Sequence, residues 1–138
     1  MKYAATYLDR HFDSIEEYGS KVELMTLART GGAAMSESAW ITGIGELMNW
    51  QAMSERSGVW TYYESVNPQA AEATVRWLES LDEAEEFAVY AQGLDRYKDQ
   101  ILMEQIDRWI EEHRTDINNA TKRALLMHKK WFYEELDV

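Results

Sequence analysis

The chain has 138 residues, enough for one domain of ordinary size and too few for two. A hydrophobic content of 46%, with 6 Trp, 8 Tyr and 3 Phe, supplies a sizeable core and excludes a disordered polymer. The lack of Cys excludes disulfides, cysteine catalysis and thiolate metal sites, and a net charge of −11 argues against direct contact with nucleic acid or an anionic membrane.

A short first helix is predicted over residues 3–9. Ser14-Ile15-Glu16-Glu17 has the spacing of a capping box, in which a Ser oxygen and a carboxylate three residues on each accept the other's backbone amide. From there Ile15, Tyr18, Val22, Met25 and Ala28 recur at three- and four-residue steps, and Gly31-Gly32 supplies a left-handed ending. A second helix is predicted from Ser38 to Ser57, with Trp40, Ile41, Ile44, Leu47, Met48 and Met53 on a broad apolar arc and Gly58 as its stop. Val59-Trp60-Thr61-Tyr62-Tyr63 is the one run of strong strand propensity. With no partner strand elsewhere, it reads as a buried connection or a helical turn whose rings plug the core.

Asn67-Pro68 is the clearest start signal: Asn caps, and Pro takes the first helical position, where no amide is needed. Ala71, Val75, Leu78 and Leu81 mark the buried face of that helix, with Trp77 beside it. Asp82-Glu83-Ala84-Glu85 reads as the acidic opening of the next helix, which carries Phe87, Val89, Tyr90 and Leu94 and is interrupted by Gly93. Residues 96–113 place Leu102, Ile106, Trp109 and His113 at helical steps, with His113 expected to be buried beside a hydrogen-bond partner. A terminal helix is predicted from Thr115 or Asp116 to about Leu136. The expected fold is therefore all-α, one domain over residues 1–138, a compact helical bundle of about five to seven helices.

Charge is unevenly placed along these elements. Residues 79–112 carry 11 acids against 3 bases, while residues 113–133 carry 5 bases against one acid. The candidate acidic interaction surface is Asp82, Glu83, Glu85, Glu86, Asp95, Asp99, Glu104, Asp107, Glu111 and Glu112. Asp95, Asp99, Glu104, Asp107 and Glu111 recur at mostly three- to five-residue steps, which on one helix makes a charged row. Such a row attracts a basic groove and speeds association in a salt-dependent way.

Catalytic and metal motifs are missing. Leu8, Ile110 and Leu125 stand three residues before His11, His113 and His128, so no Glu-x-x-His pair of the di-iron type exists. His-Glu-x-x-His is absent as well. Glu104, Asp107 and Glu111 share a face at i, i+3 and i+7, a pattern that an ordinary solvated face explains without a cation. No Gly-x-Ser-x-Gly turn occurs, and Thr30-Gly31-Gly32-Ala33 lacks the Lys and hydroxyl of a phosphate loop. No catalytic residue, metal or cofactor is assigned.

The terminal helix carries two apolar faces, Ile117, Ala120, Ala124, Met127 and Trp131 on one, Leu125, Phe132 and Leu136 on the other. Either it sits centrally in the monomer or it contributes to a homodimer interface through Met127, Trp131 and Phe132.

The middle third resembles a bacterial family. Glu46-Leu47-Met48-Asn49, Gly58-Val59-Trp60-Thr61-Tyr62-Tyr63, Asn67-Pro68-Gln69-Ala70-Ala71 and Leu78-Glu79-Ser80-Leu81 follow in the order found in the family known as domain of unknown function 4375, which includes a DNA-mimic protein. The resemblance covers roughly residues 44–94. Residues 50–57 stand where the family has a compact Gly-Gly-Phe turn, and the family's Gly after Ser80 is missing. The resemblance implies an all-helical, often dimeric fold without catalytic residues, whose carboxylates imitate DNA phosphates; none of its binding residues carries over to this chain.

These observations together point to a small acidic cytoplasmic binding protein, non-catalytic, that occupies a basic surface of a protein partner. DNA-mimic-like regulator, inhibitor and immunity protein are the forms this reading takes, with a DNA-binding regulator, a nuclease or a toxin as partner. The alternative is a small helical enzyme or ligand-binding protein with a Trp/Tyr-lined pocket.

Overall fold

The computed structural model describes residues 5–31, 38–82 and 85–135, and over them the chain forms nine α-helices and no strand. They are α1 (Ala5–Asp13), α2 (Tyr18–Gly31), α3 (Ala39–Ser57), α4 (Trp60–Ser65), α5 (Pro68–Ser80), α6 (Ala88–Gln92), α7 (Gln100–Glu112), α8 (Arg114–Met127) and α9 (Lys129–Glu135). No described helix is long and apolar enough to cross a membrane.

The all-α class holds, and the helix count exceeds the expected five to seven because Trp60–Ser65 forms a helix of its own and the terminal stripe divides into two; local chemistry also shifts two expected helix starts. Ser14 does not open a helix as a capping box. Its hydroxyl donates to the Arg10 carbonyl at 2.9 Å and so closes α1, and α2 begins only at Tyr18. Among the described acids after Leu81, Asp82, Glu85 and Glu86 lie in turns and do not start a helix. Asp82 takes a left-handed φ of 58° and α6 begins at Ala88. The terminal stripe breaks at His128, which separates α8 from α9. Val59–Tyr63 is the helical turn its unpaired strand propensity allowed: Tyr62 and Tyr63 lie in α4 with both rings buried.

Local start signals otherwise place the helices well. Asn67 Oδ1 accepts the backbone N–H groups of Gln69 and Ala70 at 2.9 and 3.1 Å, with Pro68 at the first position of α5. Asp99 Oδ1 accepts the Leu102 N–H at 3.1 Å and starts α7, which is why that helix begins at residue 100 instead of 96. Gly58, at φ 98°, ends α3 in a conformation that disfavours any residue with a Cβ.

The centre belongs to α3, not to the terminal helix. It buries Trp40, Ile41, Ile44, Leu47, Met48 and Trp50 and packs against α2, α4, α5, α7 and α8. A helix apolar on most sides is one surrounded by others. Its closest partner is α5, and Gly43 makes that approach possible, since a Cβ there would overlap the Trp77 ring. α8 lies against α3 with Ile117, Ala120, Thr121, Ala124 and Leu125 buried. One buried cation ties α2 to α8: Lys21 is 1% exposed, and its Nζ donates to the Asn118 carbonyl at 2.8 Å. Burial, then the neighbouring Lys122, lowers the Lys21 pKa, with Glu16 opposing them.

Candidate functional site

α7 carries the middle of the acidic block. Met103, Ile106 and Ile110 bury one side of it, which turns Glu104, Glu111 and Glu112 outward, all three exposed. Asp99 and Asp107 leave the expected row. Asp99 serves as the N-cap of α7. Asp107 is half-buried, and its Oδ1 accepts the Ser54 hydroxyl at 2.6 Å and the Val59 backbone N–H at 2.8 Å, so it caps the start of α4. Asp95 precedes α7 altogether and sits in a turn at φ 63°. The regular row of five carboxylates on one helix is therefore not formed. Side-chain caps draw on the same acids that a solvated face would display, and periodicity alone does not separate the two uses.

The remaining acids gather around α7 from neighbouring segments. Glu85 and Glu86 are exposed and line a shallow depression of about 290 Å3 with Leu102, Gln105 and Trp109. At the far end of α7, Glu111 and Asp107 share a second depression with Glu55 and Arg114, whose ion pair measures 3.2 Å. Asp82 is exposed in its own turn, and Glu83 falls outside the described residues. The ion pairs found among the described residues, Glu72–Arg76, Glu55–Arg114, Glu16–Lys122 and Glu134–Lys130, engage none of the carboxylates between residues 79 and 112. The acids of the block are thus spread over separate surface sites instead of one ridge, and none of them enters these ion pairs. Among the described residues, no three His, Asp or Glu side chains gather closely enough to hold a metal ion.

The candidate dimer residues separate into three environments. Met127 is 63% exposed. Trp131 is half-buried, edge-on to Trp40 with ring centroids 5.2 Å apart. Phe132 is fully buried against Phe12 and Trp40, at centroid distances of 5.4 and 5.9 Å. Phe132 is consequently a core residue that fastens α9 to α1 and α3 and has no surface to offer a second copy of the chain. His113 is half-buried, stacked on Trp109 at 4.1 Å, with its Nδ1 2.8 Å from the Trp109 carbonyl.

Four of the aromatic residues, Trp50, Tyr62, Tyr63 and Tyr90, are tied to one another in the core. Trp50 Nε1 donates to the Tyr63 hydroxyl at 2.9 Å, which donates to the Tyr90 carbonyl at 2.7 Å. The Tyr62 hydroxyl donates to Glu46 Oε1 at 2.7 Å and lies 2.6 Å from the Tyr90 hydroxyl. Burial, first of all, raises the pKa of Tyr62 and of Tyr63 and pushes Tyr90 up to about 12. Hydroxyls held neutral and mutually bonded specify a core; they do not present a nucleophile or a base to solvent.

A groove that the sequence did not announce runs between α5 and the segment from α6 to Tyr97. Its volume is about 610 Å3, and Tyr63, Val66, Ala71, Val75, Leu94 and Tyr97 line it, Tyr63 and Val66 coming from α4 and its end. Gly93 helps shape it, because a Cβ there would overlap the Tyr63 ring. Compared with family models, with curated proteins and with solved structures, the chain matches none. Glu46 and Asn67, within residues 44–94, serve the fold itself through the Glu46–Tyr62 hydrogen bond and the Asn67 cap.

Proposed function

We propose that the protein is a non-catalytic acidic binding module that occupies a basic surface on a protein partner, in the manner of a DNA-mimic-like regulator, inhibitor or immunity protein. The observation that carries this reading is that Glu85, Glu86, Glu104, Glu111 and Glu112, on and beside α7, are all exposed and enter none of the ion pairs found among the described residues. Carboxylates that lack internal partners repel one another and lower stability, and a basic partner relieves that repulsion while gaining steering over roughly a Debye length of about 8–10 Å. A strict imitation of phosphate spacing does not enter the proposal, because Asp99 and Asp107 are committed to caps.

The enzyme or ligand-pocket alternative rests on aromatic abundance; the Trp50–Tyr63–Tyr90–Tyr62 network ties four of those rings into the core, and of the Tyr and Trp residues only Tyr63 and Tyr97 line the groove beside α5. The test is capture of a basic protein by the immobilised chain from native lysate at about 50 and about 500 mM salt, a range over which exposed charges become strongly screened. Capture should fall at high salt, and Glu104→Lys with Glu111→Lys and Glu112→Lys should abolish it while leaving the helical circular-dichroism signal unchanged. Capture that is indifferent to both salt and these reversals overturns the reading.

A further inference from the structure

We infer that the groove between α5 and the α6–Tyr97 segment receives a basic amphipathic segment of the partner, an apolar anchor flanked by Lys or Arg. This inference rests on the reading of the protein as an acidic binding module and names where, on that module, the apolar part of the contact is made. Two features of the groove select this occupant together.

The first is its floor. At about 610 Å3, half-open to solvent and walled by Val66, Ala71, Val75 and Leu94, it exceeds what one side chain fills. It has the size at which recognition pockets bury several groups at once. A segment with apolar residues on one face, at the i, i+3 and i+4 positions of a helix, places two or three of them into such a groove.

The second is its rim. Glu64, Glu72, Glu79 and Asp95 surround the apolar floor, against Arg76 as the single lining cation. Arg76 is already paired with Glu72 one turn earlier on α5, and both side chains are exposed. Glu64, Glu79 and Asp95 line the groove, are exposed and enter none of the ion pairs found among the described residues. An acidic or uncharged apolar segment meets repulsion or leaves these carboxylates without a counter-charge. Flanking Lys or Arg residues reach them with flexible stems while the anchor sits on the floor. Glu64 on α4 and Glu72 on α5 lie outside the acidic block of residues 79–112, and the groove gathers them with Glu79 of α5 and Asp95 around an apolar centre.

The test uses a fluorescently labelled synthetic peptide of Leu and Lys with its Leu residues on one helical face, titrated with the full chain and read by anisotropy. The same peptide with Glu in place of Lys is the charge control. Ala91→Trp fills the groove from an exposed lining position, and Glu64→Gln with Glu79→Gln and Asp95→Asn removes the rim charge, Asn being chosen because it tolerates the left-handed φ of 63° at residue 95. Either variant should weaken peptide binding by about tenfold or more, equivalent to about 1.4 kcal/mol. The triple α7 variant Glu104→Gln, Glu111→Gln, Glu112→Gln should change it by less than about threefold, the screened effect of charges off the groove.

If the α7 variant loses the peptide and both groove variants keep it, the groove assignment is overturned while the acidic-module reading stands. If the Glu-containing peptide binds as well as the Lys-containing one, or if all variants bind alike, the groove assignment is overturned as well. Octylammonium chloride that displaces the peptide at comparable concentration would make this a small-cation pocket instead. Thermal melts of each variant separate loss of the groove from loss of the fold, and the rim variant, which changes no apolar contact, keeps the test decisive if Ala91→Trp unfolds.

Discussion

The carboxylate of Asp107 on α7 accepts the backbone N–H of Val59, 48 residues earlier in the chain, at 2.8 Å. The same oxygen accepts the Ser54 hydroxyl, so one side chain joins the end of α3, the start of α4 and the middle of α7. The four free amides at a helix start need acceptors, and a short helix such as α4, with no side-chain cap of its own at Val59, takes one from a distant element.

Asp107→Ala should therefore destabilise the fold by about 1–3 kcal/mol, since it leaves a buried N–H and a hydroxyl without their charged acceptor. Glu104→Ala, on the exposed face of the same helix, should stay within about 0.5 kcal/mol. Urea unfolding of the two variants checks the contrast. Equal, small effects would return Asp107 to the solvated face.

Gly43→Ala offers a sharper sign test. In an isolated helix Ala is favoured over Gly by about 1 kcal/mol. In α3 the added methyl overlaps the Trp77 ring of α5, and overpacking of this kind costs about 1–3 kcal/mol. The variant should melt at a lower temperature than the wild type; a higher melting temperature would show that α3 and α5 have room to separate.

Phe132 and Met127 lie on neighbouring elements and should respond in opposite ways. Phe132→Ala removes a fully buried ring and should cost about 3–5 kcal/mol. Met127→Lys, at a residue 63% exposed, should leave the monomer's stability within about 0.5 kcal/mol. Should the protein self-associate through this end of the molecule, sedimentation will show Met127→Lys shifting it toward monomer without unfolding it.

His128 makes stability depend on pH. It sits at the α8–α9 joint, stacked on Trp40 at 4.1 Å, and burial holds its pKa below the ordinary 6.5. The folded state thus resists the proton more than the unfolded chain does. The His128 contribution is complete above the unfolded value of 6.5 and is lost as pH falls below it toward the folded value. Between about pH 7.5 and pH 5.5 the wild type should lose stability relative to His128→Phe, which keeps a stacking ring and has nothing to protonate. Parallel denaturation curves at both pH values would contradict the burial argument.

Local chemistry accounts for most of what was legible in the sequence. Asn67-Pro68 starts α5, Gly58 ends α3 and the period of the apolar residues marks every long helix, because caps, stops and stripes are set by residues within one or two turns of each other. The acidic character of residues 79–112 is likewise a property of composition, and Glu104, Glu111 and Glu112 display it on the surface. Where local signals competed, the sequence alone did not choose. Ser14 could open α2 or close α1, and the acids after Leu81 could begin a helix or form a turn.

What an acid or an aromatic ring is for was decided by elements distant in the chain. Asp107 became a cap because α4 approaches α7, and Phe132 became core because α9 folds back on α1 and Trp40. The groove arose in the same way: Glu64 of α4, Glu72 and Glu79 of α5 and Asp95 after α6 meet around an apolar floor only in the folded chain, with Gly93 making room for the Tyr63 ring. Periodicity reports which side of a helix is apolar. Which neighbour covers that side depends on non-local packing, and so does which charges are left facing solvent.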